Sequence, residues 1–299
     1  MKINKILLVG GTGYIGTALY QILKKDYRVH VTGRLDKPEF GNDFRNLNFA
    51  NSSSIKHVLG NEKYDLIIIL AAQKEIKITS EIDFGNSVFK DNVLDLNTFS
   101  KFLFKFQDKA TMLFVSSMTV YGPQAVSPVS EDVRLSPIHD YGLSKLIGES
   151  FFSYYVSYHD SYGVVFRIPG VFGGSRKSGY IFNLIKKMKN NESVEIDSTD
   201  LGYWEAINLN DLVNIFAEFI RKYPAHNKVE IFNLSYGEET DFVKTAYLLK
   251  DLLNSKSEIR VAKKDYRRFF LDNRKVSQFV DTRKYSYLKA LKRYIKEFK

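Results

Sequence analysis

The residue types best suited to chemistry lie in two short stretches near the middle of the chain. In "YGLSK", Tyr141 and Lys145 stand at i and i+4, which on a helix puts both side chains on one face, one turn apart. An ammonium beside a phenol favours the phenolate, so the pKa of Tyr141 is expected to fall. A phenol tuned in that way exchanges a proton with a substrate hydroxyl or ketone. Lys145 is also suited to hydrogen-bond the ribose of a nicotinamide cofactor. Upstream, "LFVSSMTVYG" puts Ser117 where an apolar run gives out, and a hydroxyl there can hold the reacting oxygen in place. Y-x-x-x-K alone is common by chance, so its weight depends on the elements that carry it.

Those elements begin at "GGTGYIG", residues 10–16, which follows "KINKILLV" and opens "YIGTALYQILKK". A strand, a turn with Gly10, Gly13 and Gly16, then an amphipathic helix is the context of a pyrophosphate cradle. Glycine lets the backbone approach the anion, and the helix start offers N–H groups and a partial positive charge. The alternative is a purely structural turn. The second strand, "YRVHVTG", runs into Arg34. Gly33 occupies the place where a carboxylate would hold the adenosine ribose diol of NAD, and Arg34 suits a 2′-phosphate. This favours NADP over NAD, with Asp36 keeping NAD open.

Apolar runs then alternate with helical patterns: "LNFAN", "SSSIKHVLG", "YDLIIILAA", "NVLDLNTFSKFLFKF", "ATMLFVSSM", "YGLSKLIGESFFSYYVSYH" and "YGVVFRIPG". Buried strands between helices predict an α/β fold, a doubly wound parallel Rossmann sheet with chemistry at the carboxyl ends of its strands. After Gly174 the rhythm changes, and a smaller interleaved C-terminal α/β substrate lobe is expected. The expected boundaries are a dinucleotide-binding domain over 1–173, with 205–233 returning to it, and a substrate-binding lobe over 174–204 and 234–299. Asn208 or Asn210 is available to cap the helix in "NLNDLVNIFAEFIRKY". The C-terminal "LKALKRYIKEFK" reads as an amphipathic surface helix with a basic face.

The 299 residues, 44% of them hydrophobic, suffice for a sizeable core. The absence of cysteine excludes disulfides and thiolate metal sites and fits a reducing cytoplasm. The histidines have no metal-ligand spacing, so no metal is expected, and His139 reads as a loop residue. The net charge of +10 is spread along the chain, which fits a lysine-rich solvated surface better than a specific nucleic-acid partner. "ILLVGG" is too short to span a membrane and runs into a glycine turn, so the start is expected to be mature and soluble.

Taken in order, "GGTGYIG", "LAAQK", "NVLDLNT", "SSMTVYG", "YGLSK", "RIPGVFG" and "EIFNLSYGEET" resemble an extended short-chain dehydrogenase/reductase of the NAD-dependent epimerase/dehydratase family. The resemblance implies hydride transfer at a nicotinamide with Ser117, Tyr141 and Lys145 as catalytic residues. It implies that Gly10, Gly13, Tyr14, Ile15 and Gly16 form the pyrophosphate turn. It implies further that Ala71, Ala72, Lys74, Asn92 and Pro169 line the cofactor. Met118 and Thr119 stand where related dehydratases have an Asp-Glu pair, which argues against elimination chemistry; Thr119 is kept beside Ser117 as a substrate contact. Gly170 replaces a frequent asparagine, and Trp204 lies near the usual diphosphate arginine. Arg176 and Lys177 are therefore the candidates to grip a diphosphate. The activity expected is reduction of a 4-keto nucleoside-diphosphate sugar. A 4-epimerase with tightly bound NAD and a non-catalytic dinucleotide-sensing protein are the alternatives. The resemblance also implies a homodimer joined through the "NVLDLNTF" and "YGLSKLIGES" helices.

Overall fold

Strands form where β-branched and aliphatic runs can be buried on both faces, the condition for a parallel sheet. The computed structural model describes residues 3–72, 87–124, 126–196, 205–223, 228–262 and 269–298. The chain folds as two compact units, the first made of Met1–Val120, Pro137–Arg167 and Ile220–Phe232. Among its described residues the strands are β1 (Lys5–Val9), β2 (Arg28–Gly33), β3 (Phe44–Asn46), β4 (Leu66–Ile69), β5 (Thr111–Ser117), β6 (Gly163–Ile168) and β10 (Val229–Asn233). They make a seven-stranded sheet in the order β10-β6-β5-β4-β1-β2-β3. β1 pairs in parallel with both β2 and β4, so the order reverses beside β1. This is the Rossmann-like doubly wound arrangement, in which ligand crevices form at such a switch point.

Helices α1 (Tyr14–Leu23), α2 (Ser52–Gly60), α3 (Leu96–Phe106) and α4 (Asp140–Tyr158) join these strands. Leu7, Val9, Ile67, Ile69, Met112 and Phe114 of the sheet pack with Ile55 and Leu59 of α2, Phe99 and Leu103 of α3, and Val156 of α4. β3 departs from expectation: it is formed by residues 44–46, and "LNFAN" is the turn that follows. Asn48 Oδ1 accepts the Ala50 N–H, and Asn51 Oδ1 caps α2 by accepting from Ser53 and Ser54. The two asparagines bend the segment locally and so remove it from the sheet.

The second unit consists of Tyr121–Ser136, Ile168–Phe219 and Asn233–Lys299. In it β7 (Gly170–Phe172) pairs in parallel with β9 (Ala206–Asn208), and β8 (Val194–Ile196) with β11 (Ile259–Val261). Its helices are α5 (Tyr180–Lys189), α6 (Leu209–Lys222), whose last turn falls in the first unit, α7 (Phe242–Leu253) and α8 (Tyr287–Glu297). Asn208, rather than Asn210, starts α6: its Oδ1 accepts the Asn210 N–H at 3.0 Å. α8 buries Tyr287, Ala290, Leu291 and Tyr294 and leaves Lys289, Lys292 and Lys296 exposed. Among the described residues no helix is long and apolar enough to cross a membrane.

Candidate active site

The glycine turn leaves β1 at the switch point, where neighbouring backbone leaves no room for side chains. Gly10 has φ +76°, and a Cβ there would stand 2.8 Å from the backbone of Ala71, just beyond β4. The Gly10 N–H donates to Thr32 Oγ1 at 3.0 Å, which ties the turn to β2. Gly16 sits so close to Gly11 that a Cβ would come within 2.5 Å of its Cα. α1 starts at Gly13 with no side-chain cap and no acidic residue in its first turn. Such a helix start is suited to an anion. The crowded glycines and the uncapped helix therefore fit a dinucleotide pyrophosphate, and Tyr14 and Ile15 lie in that first turn.

Ser117 closes β5, and its Oγ accepts from Thr119 Oγ1 at 3.0 Å. The chain returns at His139, whose Nδ1 accepts the Gly142 N–H at 3.1 Å and caps α4. His139 thus has a definite structural task where a loop residue was expected. A Cβ on Gly142 would meet the Thr119 carbonyl oxygen at 2.7 Å, so α4 begins in direct backbone contact with the turn that follows Ser117. Tyr141 lies in that contact, half-buried. Lys145, one turn on, is buried, with its Nζ donating to the Val115 carbonyl at 2.7 Å and lying 4.8 Å from the centre of the Phe114 ring.

The expected fall in the Tyr141 pKa is not found. Loss of hydration pushes its hydroxyl up to about 12. The Lys145 ammonium is engaged by Val115 of β5, and its charge does not offset that burial. Lys145 is itself driven down to about 8 by burial, with Glu149 pulling it back up.

Asn92 is buried in a π-helical turn, Lys90–Asp95, ahead of α3; such turns are frequent at functional sites. Its Nδ2 donates to Ser144 Oγ at 3.1 Å, and Ser144 Oγ donates to the Tyr141 carbonyl at 2.8 Å. This chain links Asn92 to the turn of α4 that carries Tyr141. Arg34, at the end of β2, is exposed and 3.4 Å from Asp91 of the same π-helical turn. Ala71 packs on Gly10, and Ala72 beside it is exposed. Pro169 is buried in the second unit, and the loop before α5 in that unit is largely exposed: Arg176 Nε donates to Ser178 Oγ at 3.0 Å, and Lys177 faces solvent. Lys74 and Trp204 lie outside the described residues.

Sequence reasoning missed Thr32, Gly142, Ser144 and a buried group behind Lys145. In that group Glu149 accepts two hydrogen bonds from Arg167 Nε and one from its Nη2, the last at 2.8 Å, and a further one from Ser116 Oγ. Glu149 falls at i+4 from Lys145, and that spacing was the available signal. Gly142 and Thr32 give no such signal, because their roles depend on backbone that is distant in sequence.

A sequence profile of the NAD dependent epimerase/dehydratase family matches residues 6–235. The dTDP-4-dehydro-6-deoxyglucose reductase of Escherichia coli is 27% identical over 274 residues, covering 86% of this chain and 84% of the reductase. The crystal structure of a UDP-glucose 4-epimerase with UDP-glucose from Thermotoga maritima superposes with a TM-score of 0.82 at 22% identity, covering 98% of each chain. A UDP-glucuronic acid 4-epimerase from Bacillus cereus in complex with NAD gives 0.79 at 21%, covering 98% of this chain and 99% of that one. These two share the fold. The profile match runs over most of its length, and the chain belongs to the NAD dependent epimerase/dehydratase family of enzymes.

Proposed function

We propose that this chain reduces a 4-keto nucleoside-diphosphate sugar with NADPH. The observation that carries the reading is the backbone contact between Gly142 and the Thr119 carbonyl, which joins the start of α4 to the end of β5. It brings Tyr141 and Lys145 to the strand end that carries Ser117. The similarity to a 4-keto sugar nucleotide reductase over 86% of the chain supports the same class of substrate. A cofactor with a 2′-phosphate is supported at β2: a Cβ on Gly33 would lie 2.5 Å from Thr12 Oγ1, so an acidic side chain at position 33 would have to displace Thr12, and Arg34 follows it.

When bound, the dinucleotide supplies the hydride. Ser117 and Thr119, already hydrogen-bonded to each other, orient the substrate oxygen. The Tyr141 hydroxyl, held protonated by its raised pKa, donates a proton to that oxygen. Lys145 keeps a positive charge beside the array and holds the nicotinamide ribose. Asn92 fixes the Tyr141 turn through Ser144, and it and Pro169 are the further residues that the family resemblance would assign to the cofactor. Arg176 and Lys177 take the substrate diphosphate, for which cationic side chains are the usual partners. Two copies associate through α3 and α4, whose outward residues include exposed Leu143, Tyr154 and Tyr158.

One observation favours the alternative, 4-epimerisation with tightly held NAD. Asp91 is 3.4 Å from Arg34, and its carboxylate opposes a 2′-phosphate there. The test follows dihydronicotinamide absorbance with a 4-keto-6-deoxy sugar nucleotide and NADPH or NADH, together with the mass of any cofactor carried through purification. Consumption of NADPH is expected. No consumption, with NAD retained by the purified protein, overturns the reductase reading in favour of the epimerase.

A further inference from the structure

The Glu149–Arg167 pair is buried, with Arg167 Nη2 and the Glu149 carboxylate 2.8 Å apart. Removing two charges from water is costly unless geometry compensates, and such a pair is weak evidence for added stability. Its placement suggests a different use. Val115 and Ser116 are consecutive residues of β5. The carbonyl of the first takes the Lys145 ammonium, and the hydroxyl of the second binds the Glu149 carboxylate. Lys145 and Glu149 are successive turns of α4, so β5 holds two adjacent turns of that helix. Arg167 of β6 grips the same carboxylate with Nε and Nη2 and fixes its direction.

Lys145 is buried, and burial favours a neutral amine. What it meets from β5 is the Val115 carbonyl and the Phe114 ring. Tyr141 stands one turn before it on α4. Glu149 is the charge that acts on it, with Arg167 behind the carboxylate. A carbonyl alone does not hold an ammonium against desolvation, whereas a fixed carboxylate one turn away opposes it directly.

We propose that Glu149 is a positioning residue, clamped by Arg167 and Ser116 so that its carboxylate keeps Lys145 charged and directed at the end of β5. This rests on the reading of Lys145 as the cation of the reacting array. Arg167 and Ser116 act through Glu149, and none of the three touches substrate.

The experiment follows the ¹³Cε resonance of Lys145 against pH in protein made with labelled lysine, the signal being assigned by its loss in Lys145→Gln. The wild-type midpoint is expected near 8. In Glu149→Gln the proton-release equilibrium should move about tenfold toward the neutral amine. Glu149→Asp should restore most of the wild-type midpoint. A folded Glu149→Gln protein with an unchanged midpoint overturns the proposal. If that variant does not fold because Arg167 is left unpaired, Glu149→Gln/Arg167→Gln removes both charges. A smaller fall in the same direction is expected there, because the Arg167 cation that opposes the Lys145 charge goes with the carboxylate, and a wild-type midpoint again overturns the proposal. In turnover assays the alkaline limb of the NADPH rate should move to lower pH in Glu149→Gln, which a purely structural loss would not produce. The titration needs neither cofactor nor substrate. A shifted midpoint in a chain that turns over no sugar nucleotide would therefore remove the reductase reading and keep the Glu149–Lys145 coupling.

Discussion

Two polar clusters in the first unit have similarly displaced pKa values and, on the proposed function, opposite uses. At the carboxyl end of β5, Tyr141 is raised to about 12 and Lys145 lowered to about 8. Elsewhere on the same sheet, Tyr64 is also raised to about 12 and His30 of β2 is lowered to about 4. Burial is the largest cause in all four. His30 Nδ1 lies 2.9 Å from the Tyr64 hydroxyl and its Nε2 lies 3.1 Å from Arg45. Glu62 takes both Arg45 and Lys5, so both cations of that cluster find their partner within the protein. Glu62 and Tyr64 precede β4 and Lys5 opens β1, away from the strand ends where ligands bind in open α/β sheets. A displaced pKa therefore marks burial, and position on the sheet separates chemistry from structure.

The largest expected difference follows from deleting one hydroxyl in each cluster. Tyr141→Phe should lower turnover by about 100-fold or more, the usual weight of a general acid, while leaving dinucleotide affinity intact. Tyr64→Phe should leave turnover per folded molecule unchanged and destabilise the fold by about 1–2 kcal/mol through the bond lost to His30. Turnover, dinucleotide titration and thermal melting on both variants test the contrast. Equal turnover losses would remove the distinction between the clusters.

How much of this was legible in the sequence depends on whether a feature is local. "GGTGYIG" and "YGLSK" declare themselves because strand, turn and helix periods frame them within a few residues. The strands of the first half followed from their apolar runs, except where Asn48 and Asn51 turned "LNFAN" out of the sheet. The pairing of Tyr141 with Lys145 was visible, but its electrostatic consequence was not. The Val115 carbonyl that engages the ammonium is thirty positions from Lys145, and burial of the phenol is a property of the fold. Arg167 and Ser116 reach Glu149 from two different strands, a convergence that no local period records.

The second prediction uses pH. His30 is neutral in the folded protein, with its pKa lowered from 6.5 to about 4. Between those values the unfolded chain binds more protons, so stability is complete above about pH 6.5 and falls as pH drops toward 4. The loss attributable to His30 should be about 2–3 kcal/mol. Urea denaturation at pH 7 and pH 4.5 measures it, and His30→Gln should remove most of the difference. A variant with an undiminished acid loss would place the titration elsewhere.

A smaller effect is expected at Arg34. The side chain is exposed and faces Asp91, so solvent and the carboxylate both weaken its hold on a phosphate. Arg34→Ala should reduce NADPH affinity about tenfold and leave NADH affinity unchanged. Equal losses for the two cofactors would remove the 2′-phosphate from its role, and Asp91→Asn should then leave the preference unaltered too.

The smallest expected effect separates two helix starts. α2 begins at Asn51, whose Oδ1 satisfies the Ser53 and Ser54 N–H groups. α1 begins at Gly13, which has no side chain to do so. A capped start is closed to an anion, whereas an uncapped start beside crowded glycines is open to one. Asn51→Ala should therefore cost about 1 kcal/mol of stability, measured by urea denaturation, and leave dinucleotide affinity unchanged. Chain reversal at Asn51 also sets where β3 ends, so a larger loss would mean that the cap holds the β3–α2 turn as well as the helix. A fall in dinucleotide affinity would show that the two helix starts are coupled through β2, since Thr32 ties that strand to the glycine turn.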